Sequence, residues 1–178
     1  MRTRPAPHRA LRRATFGDIP ALLDIENAAF PGNRLDRRRF RHLLGSARAV
    51  MLVDAAGAGL RGYVLLLLRA GSPIARIYSI ATHPACRGQG VASRLVDGAE
   101  RLAREHGRTR LRLEIRVDNA ASLALFAKHG YRVFGRHPDY YHDGMDALRL
   151  EKTPGGLPAP SRGRGPQPIS TRSCGANS

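Results

Sequence analysis

The 178 residues predict an α/β domain of the α+β kind, a mixed and mostly antiparallel sheet of about seven strands flanked by about four helices. Three observations carry that prediction. Residues 109 to 117 alternate strictly, with Leu111, Leu113, Ile115 and Val117 on one face and Arg110, Arg112, Glu114 and Arg116 on the other, as in a strand buried on one side. Residues 50 to 54 and 62 to 69 are apolar runs around the glycine-rich turn Ala55 to Leu60, which reads as an antiparallel hairpin. Residues 74 to 106 pass from an apolar strand through a glycine-rich turn into a long amphipathic helix.

The remaining elements follow in order. Arg9 to Thr15 reads as a first strand. Asp18 reads as the N-cap of a helix to about Phe30, with Pro20 in the first turn, where a missing N–H costs nothing. Ile19, Leu22, Leu23, Ala29 and Phe30 form its apolar face, and Pro31-Gly32 ends it. A short helix, Leu35 to Leu44, sets Leu35, Phe40, Leu43 and Leu44 against a cationic edge of Arg37, Arg38, Arg39 and Arg41, a pattern that is ordinarily a solvated face. Gly71-Ser72-Pro73 turns the chain into the strand of Ile77, Tyr78, Ile80 and Ala81.

The helix from Gly90 to His106 places Val91, Leu95, Ala99, Leu102 and His106 on one face. On the other side Asp97 with Arg101 and Glu100 with Arg104 have the spacing of supportive pairs, and Gly107 suits the position after the C-cap. Asn119 caps a helix to about His129 that carries Leu123, Leu125 and Phe126. Gly130 ends it, Tyr131 to Gly135 is a strand, loop 137 to 144 holds Tyr140-Tyr141, and Met145 to Glu151 closes the sheet. Residues 1 to 8 and the Pro, Gly, Ser and Arg run at 153 to 178 lack periodicity and are expected to be disordered, which leaves one domain at 9 to 152.

Composition narrows the function classes. With only Cys86 and Cys174, no paired-cysteine motif and no His-Glu-x-x-His, neither a disulfide framework nor a metal site is expected, and Cys86 reads as a small incidental thiol. No apolar run reaches the length of a membrane span and no signal-peptide pattern opens the chain, so the expectation is a cytoplasmic protein without membrane contact. The formal charge is +16, of which residues 9 to 152 carry +11. Such a field attracts polyanions: a phosphorylated cosubstrate, nucleic acid, or a protein seated on RNA. Only two of the 30 cations are lysine, which equally fits a composition that writes arginine wherever a solvated cation is tolerated. Exposed aromatics interleaved with the cations, expected of a nucleic-acid module, are not found along the sequence.

The residues that carry chemistry begin at the glycine turn. Gly88 and Gly90 allow positive φ and close backbone approach, so successive amides can converge while the next helix presents its positive end. That geometry binds anions, phosphate above all, and it also arises in ordinary loops. Gly-x-x-x-x-Gly-Lys is absent, and Gly-x-Gly-x-x-Gly fails because Ser93 stands where the third glycine would fall. What remains is Arg87-x-x-Gly90-x-Ala92 after a strand. This resembles the acetyl-CoA pyrophosphate loop of the GNAT superfamily of N-acetyltransferases. The resemblance extends through Leu113-Glu114-Ile115-Arg116-Val117-Asp118-Asn119, Ala124-Leu125-Phe126 and Gly130-Tyr131, spans about residues 9 to 152, and is nearest to bacterial ribosomal-protein-alanine N-acetyltransferases.

The resemblance implies a GNAT fold, acetyl-CoA as cosubstrate and no metal. It implies that Arg87, Gly88, Gln89, Gly90, Val91, Ala92 and Ser93 hold the pyrophosphate, that Ile80, Ala81 and Thr82 meet the pantetheine arm and thioester, and that Asn119 also contacts CoA. The resemblance also sets the Leu35 to Leu44 region beside the acceptor groove, where Arg37, Arg38, Arg39 and Arg41 would steer an acidic acceptor, the alternative to a solvated face. Glu114 stands where those relatives carry a general base. Arg112 and Arg116 flank it on its own face, as neighbours that hold a carboxylate ionised. Phe126 stands at a cofactor-facing position where relatives usually have a tyrosine that protonates the departing thiolate, and phenylalanine cannot. A thiolate with a reference pKa near 8.5 tolerates the lack of an acid; otherwise Ser122, Tyr140 or Tyr141 is the candidate donor. An α-amine of pKa near 8 needs less help from a base than lysine near 10.4, which points to a protein or peptide N-terminus, possibly of a ribosomal protein, as acceptor. The rival readings are a small-molecule amine acetyltransferase and a non-catalytic basic module for ribosome or RNA.

Overall fold

The computed structural model describes residues 10–32, 34–57 and 59–154. The strands are β1 (Ala10–Arg13), β2 (Ala49–Ala56), β3 (Gly59–Leu68), β4 (Ile74–Thr82), β5 (Arg110–Arg116), β6 (Arg132–His137) and β7 (Ala147–Lys152). The helices are α1 (Ile19–Ala29), α2 (Arg37–Leu44), α3 (Val91–Glu105) and α4 (Ala120–Lys128). Among the described residues seven strands join one sheet in the order β1-β2-β3-β4-β5-β7-β6, and of their pairings only the central β4–β5 is parallel. The expected arm at 1 to 8 and all but the first two residues of the expected tail at 153 to 178 lie outside the described residues.

Alternation divides the sheet into two packed faces. Val64, Leu66, Leu68, Ala75, Ile77, Leu111, Leu113 and Ile115 meet Val91, Leu95, Ala99 and Leu102 of α3 and Phe126 of α4. On the other face Tyr63, Leu65, Met51 and Val53 meet Ile19, Leu22 and Ile25 of α1 and Phe40 and Leu43 of α2. Gly62 of β3 packs directly beneath the start of α3. A Cβ there would stand 2.6 Å from the Ala81 carbonyl oxygen and 2.9 Å from Val91 Cγ1. Gly62→Ala is therefore expected to cost about 1–3 kcal/mol, read as a lower urea midpoint at unchanged slope.

Several local expectations are corrected. Asp18 does not cap α1 with its side chain. A short 3₁₀ turn, Phe16–Asp18, precedes the helix, and the Asp18 carboxylate reaches back to the Thr15 N–H at 2.7 Å. Arg12 grips both of its oxygens at 2.8 Å and holds the carboxyl down to about 2. The buried side of α1 includes Glu26, whereas Leu23, Ala29 and Phe30 are only partly buried. The pairs expected along α3 do not form. Glu100 is buried and takes both of its bonds from Lys152 Nζ, at 2.7 and 2.8 Å, while Asp97 faces His129 at 3.3 Å. A bidentate bond to a cation from across the core outweighs the few tenths of a kcal/mol of an exposed helical pair.

Candidate functional site

The parallel pairing of β4 with β5 lasts for three residues, Ile74 to Arg76 against Arg110 to Arg112. Beyond it the strands part, while β4 continues to pair with β3 on its other edge as far as Thr82. Tyr78 is the extra residue of a β-bulge in that ladder, since Ile77 pairs Leu66 and Ser79 pairs Leu65. A bulge bends its strand and re-aims the side chains after it. The wedge thus leaves one edge of Ile80, Ala81 and Thr82 without a strand partner.

At the end of β4 the chain turns through Pro84–Cys86 into the glycine loop. Gly88 and Gly90 have φ of 73° and 71°, the left-handed values that glycine adopts without strain. Gly90 is the N-cap of α3 and offers no side chain to its first turn. Among the described residues, none of the amides from Gly88 to Ser93 donates to a protein acceptor. Six consecutive positions with unspent donors, at the positive end of a helix fifteen residues long, form a cradle that fits a diphosphate. The cradle is braced from behind. Arg94 donates from Nη1 to the Gln89 carbonyl at 3.0 Å and from Nε to Asp54 Oδ2 at 2.8 Å, and Asp54 Oδ1 accepts from Arg61 Nε at 2.8 Å. Arg87 is exposed beside the loop, and Val91, Ala92 and Ser93 are the first residues of α3.

Across the wedge, Glu114 projects from β5 onto the face that also carries α1 and α2. Arg76, on β4, donates from Nε to Glu114 Oε2 at 2.8 Å and pairs with the same oxygen through Nη2, 2.7 Å away. The same Nη2 donates to the Tyr140 hydroxyl at 2.7 Å. Glu114 Oε1 accepts no hydrogen bond among the described residues, and the side chain is 13% exposed. Tyr141 stands edge-on to Tyr140 with ring centroids 5.1 Å apart, and Arg116 lies 4.9 Å from its centroid. Burial, with Tyr140 next to it, pushes the Tyr141 hydroxyl up, so it remains a proton donor. The structure thus joins Glu114, Tyr140 and Tyr141 into one cluster.

The arginines expected to flank Glu114 are engaged elsewhere, Arg112 with Glu151 at 3.0 Å and Arg116 with Asp118 and Asp143. The cation on Glu114 is Arg76, because the parallel register brings Arg76 level with Arg112. Asn119 caps α4 as expected, its Oδ1 accepting from the Ser122 N–H at 3.1 Å, with its side chain exposed. Phe126 is 1% exposed and stands edge-on to Tyr131 at 5.0 Å, within the core rather than on the surface of the wedge. Aromatic and cationic side chains are also interleaved after all. The Phe134 ring lies 4.7 Å from the Arg112 guanidinium and 4.6 Å from that of Arg149. The three belong to three different strands, so the linear sequence hides the arrangement.

Sequence reasoning missed Arg76, Tyr78, Arg94 and Glu26. Glu26 is 2% exposed, takes the Leu35 N–H at 3.0 Å and accepts from the Tyr63 hydroxyl, which in turn is 2.8 Å from Ser79 Oγ. Burial pushes its carboxyl up. Among the described residues no cluster of His, Cys, Asp or Glu has the makings of a metal site, and no helix is long and apolar enough to cross a membrane.

A model of the acetyltransferase (GNAT) family matches residues 19–131. A provisionally named ribosomal protein bS18-alanine N-acetyltransferase of Bacillus subtilis (strain 168) is 32% identical over 140 residues, 78% of this chain and 91% of that protein. An N-alpha-acetyltransferase of Sulfolobus acidocaldarius is 27% identical over 151 residues, 79% of this chain and 89% of that one. Among solved structures, a ribosomal-protein-alanine N-acetyltransferase from Escherichia coli superposes with a TM-score of 0.74 at 20% identity, over 86% of this chain and 98% of that one, a likeness of fold.

Proposed function

Since the chain belongs to the GNAT acetyltransferase family, we propose that it transfers acetyl from acetyl-CoA to the N-terminal α-amino group of a protein or peptide. The observation that carries this reading is the state of Glu114: Arg76 holds one carboxylate oxygen and leaves the other free. A carboxylate so fixed can take a proton from an amine, directly or through one water. An α-amine of pKa near 8 is already partly neutral at physiological pH, so a modest base suffices. The names of the Bacillus and Sulfolobus relatives support an α-amine acceptor.

The donor side rests on this chain's own amides. The cradle from Gly88 to Ser93 is suited to the diphosphate of CoA, and the open edge of Ile80 to Thr82 to the amide groups of its pantetheine arm. When bound, the thioester supplies an acyl carbonyl and a thiolate leaving group. Phe126 has no proton to give that thiolate. Tyr140 accepts from Arg76 and so keeps its own O–H free to donate, and Tyr141 stands beside it. Either hydroxyl can serve, and a thiol of reference pKa near 8.5 leaves without a strong acid.

The test is turnover of the full chain with acetyl-CoA and a thiol reagent. Peptides with a free N-terminus are expected to be acetylated, while the same peptides blocked at the N-terminus and carrying an internal lysine are not. Turnover of polyamines or aminoglycosides without peptides would replace the acceptor class.

A further inference from the structure

Among the described residues, α1 and α2 cover only part of their side of the sheet. The cluster beneath them draws on β2, β3 and β4 and takes nothing from β5, β6 or β7. Alternation decides what stands on the uncovered part. Leu111, Leu113 and Leu150 turn toward α3 and α4, so Arg110, Arg112 and Arg149 turn the other way. Arg132 of β6 shares their face, because it pairs Glu151, which in turn pairs Arg112.

Phe134 is set among these cations by a bulge. Val133 pairs Leu150 and Gly135 pairs Arg149, which leaves Phe134 without a partner on β7. Such a residue is re-aimed, and here the ring comes to lie 4.7 Å from the Arg112 guanidinium and 4.6 Å from that of Arg149. Arg149 reaches it across Gly135, where a Cβ would stand 3.6 Å from Arg149 Cδ. The ring is 37% exposed, on a strand at the edge of the sheet.

Most of the positive charge on this face is unspent. Glu151 is held by Arg112 at 3.0 Å and Glu114 by Arg76. Arg110, Arg132 and Arg149 enter no ion pair among the described residues, and Arg149 Nε has no protein acceptor. With strands about 4.8 Å apart, the cations spread over roughly 10 Å around the ring, room for the two or three bases that an open sheet face can carry on its aromatics. A ring that stacks on any base, set among cations that meet phosphate, is what an unpaired strand requires; a duplex keeps its base faces stacked inside.

We infer that the uncovered face of β5, β7 and β6 binds single-stranded nucleic acid, with a base on Phe134 and the backbone along Arg110, Arg132 and Arg149. This site is additional to acetyl transfer and does not depend on which amine is acetylated. It adjoins Glu114, which pairs Arg149 in the ladder, and shares no element with the amide cradle that follows β4. An acidic protein segment would use the cations and leave the ring idle. A second copy of this chain would set arginines against arginines.

The test is fluorescence anisotropy of the full chain with labelled oligouridylate, oligothymidylate and an RNA duplex, each about a dozen nucleotides long. Single strands are expected to bind more tightly than the duplex, and the RNA and DNA arms separate the two sources of strand. Phe134→Leu keeps an apolar side chain without a ring. It should weaken single strands about tenfold, with duplex affinity and salt dependence unchanged. The double variant Arg132→Ala, Arg149→Ala tests the same face independently. Its slope of log affinity against log salt should be shallower by about 1.4, two phosphate contacts at about 0.7 each. Phe16→Ala removes a ring that is 58% exposed elsewhere and should change neither quantity. Equal affinity for single strands and duplex, or unchanged binding by Phe134→Leu, would overturn the inference and leave only the general charge of the domain. Displacement of the oligonucleotide by saturating acetyl-CoA would move it to the amide cradle and overturn the inference as well. A polyglutamate peptide that binds more tightly than either single strand, and is weakened by the same arginine substitutions, would assign the face to an acidic protein.

Discussion

Replacing Asp54 by alanine is expected to remove about 3–5 kcal/mol of folding stability, the largest loss among the substitutions considered. Asp54 is 2% exposed and its two oxygens serve two guanidinium groups, Arg61 at 2.8 Å and Arg94 at 2.8 Å. Arg61 is itself only 7% exposed, so alanine at 54 strands a buried cation with no counter-charge. Asp54→Asn keeps an acceptor for one arginine and should lose less. Urea unfolding followed by circular dichroism measures both, and a loss below about 1 kcal/mol for alanine would mean that water reaches Arg61. A second effect separates fold from site. Arg94 also donates to the Gln89 carbonyl, so releasing it loosens the amide cradle. Arg94→Met leaves the Asp54–Arg61 pair intact. It should therefore weaken acetyl-CoA binding, read by calorimetry, at a fraction of the stability cost of Asp54→Ala.

That triad shows where the sequence was legible and where it was not. Alternation from Leu111 to Ile115 foretold a strand buried on one face, and the glycines at 88, 90 and 107 stand at positive φ where the turn logic puts them. Asn119 was legible as a cap because a cap is a contact between near neighbours in sequence. Contacts made across the sheet were not. Glu100 and Lys152 are 52 residues apart, Tyr63 and Glu26 37, and Arg76 and Glu114 38. Local pattern set Glu100 beside a helical neighbour and Glu114 beside its own strand's arginines and said nothing of Glu26, and tertiary packing gave each of the three a partner from another element. The same holds for the candidate site. Glu114, Tyr140 and Tyr141 were legible from their motif and loop, but Arg76, which joins two of them, required the register of a parallel pair only three residues long. Tyr78 required a bulge, which changes the count of residues on one strand against its neighbour and leaves no mark in periodicity.

Glu114→Gln is expected to lower turnover on N-terminal peptides by about 10²–10⁴-fold, the scale of a lost general base. Glutamine can still present one oxygen to Arg76, so the bonds at Glu114 Oε2 survive in outline. What changes is the other terminus, where an amide that donates replaces an oxygen that accepts. Acetyl-CoA affinity should stay within about twofold, because the amides that would hold the diphosphate lie on the loop from Gly88 to Ser93 and none of them bonds to Glu114. The pH profile distinguishes a base from a structural carboxylate. An α-amine of pKa near 8 loses its proton to water as pH rises from 7 to 9, so the variant's deficit should shrink over that interval if Glu114 takes the proton. A deficit that stays constant with pH would make Glu114 a positioning residue acting through Arg76 and Tyr140. Loss of acetyl-CoA binding in parallel with turnover would instead join the two sides of the wedge into one cooperative unit. Arg76→Met frees both Glu114 oxygens and releases Tyr140. If orientation of the free oxygen is what Arg76 contributes, that variant keeps its acetyl-CoA affinity and loses kcat more than it raises KM.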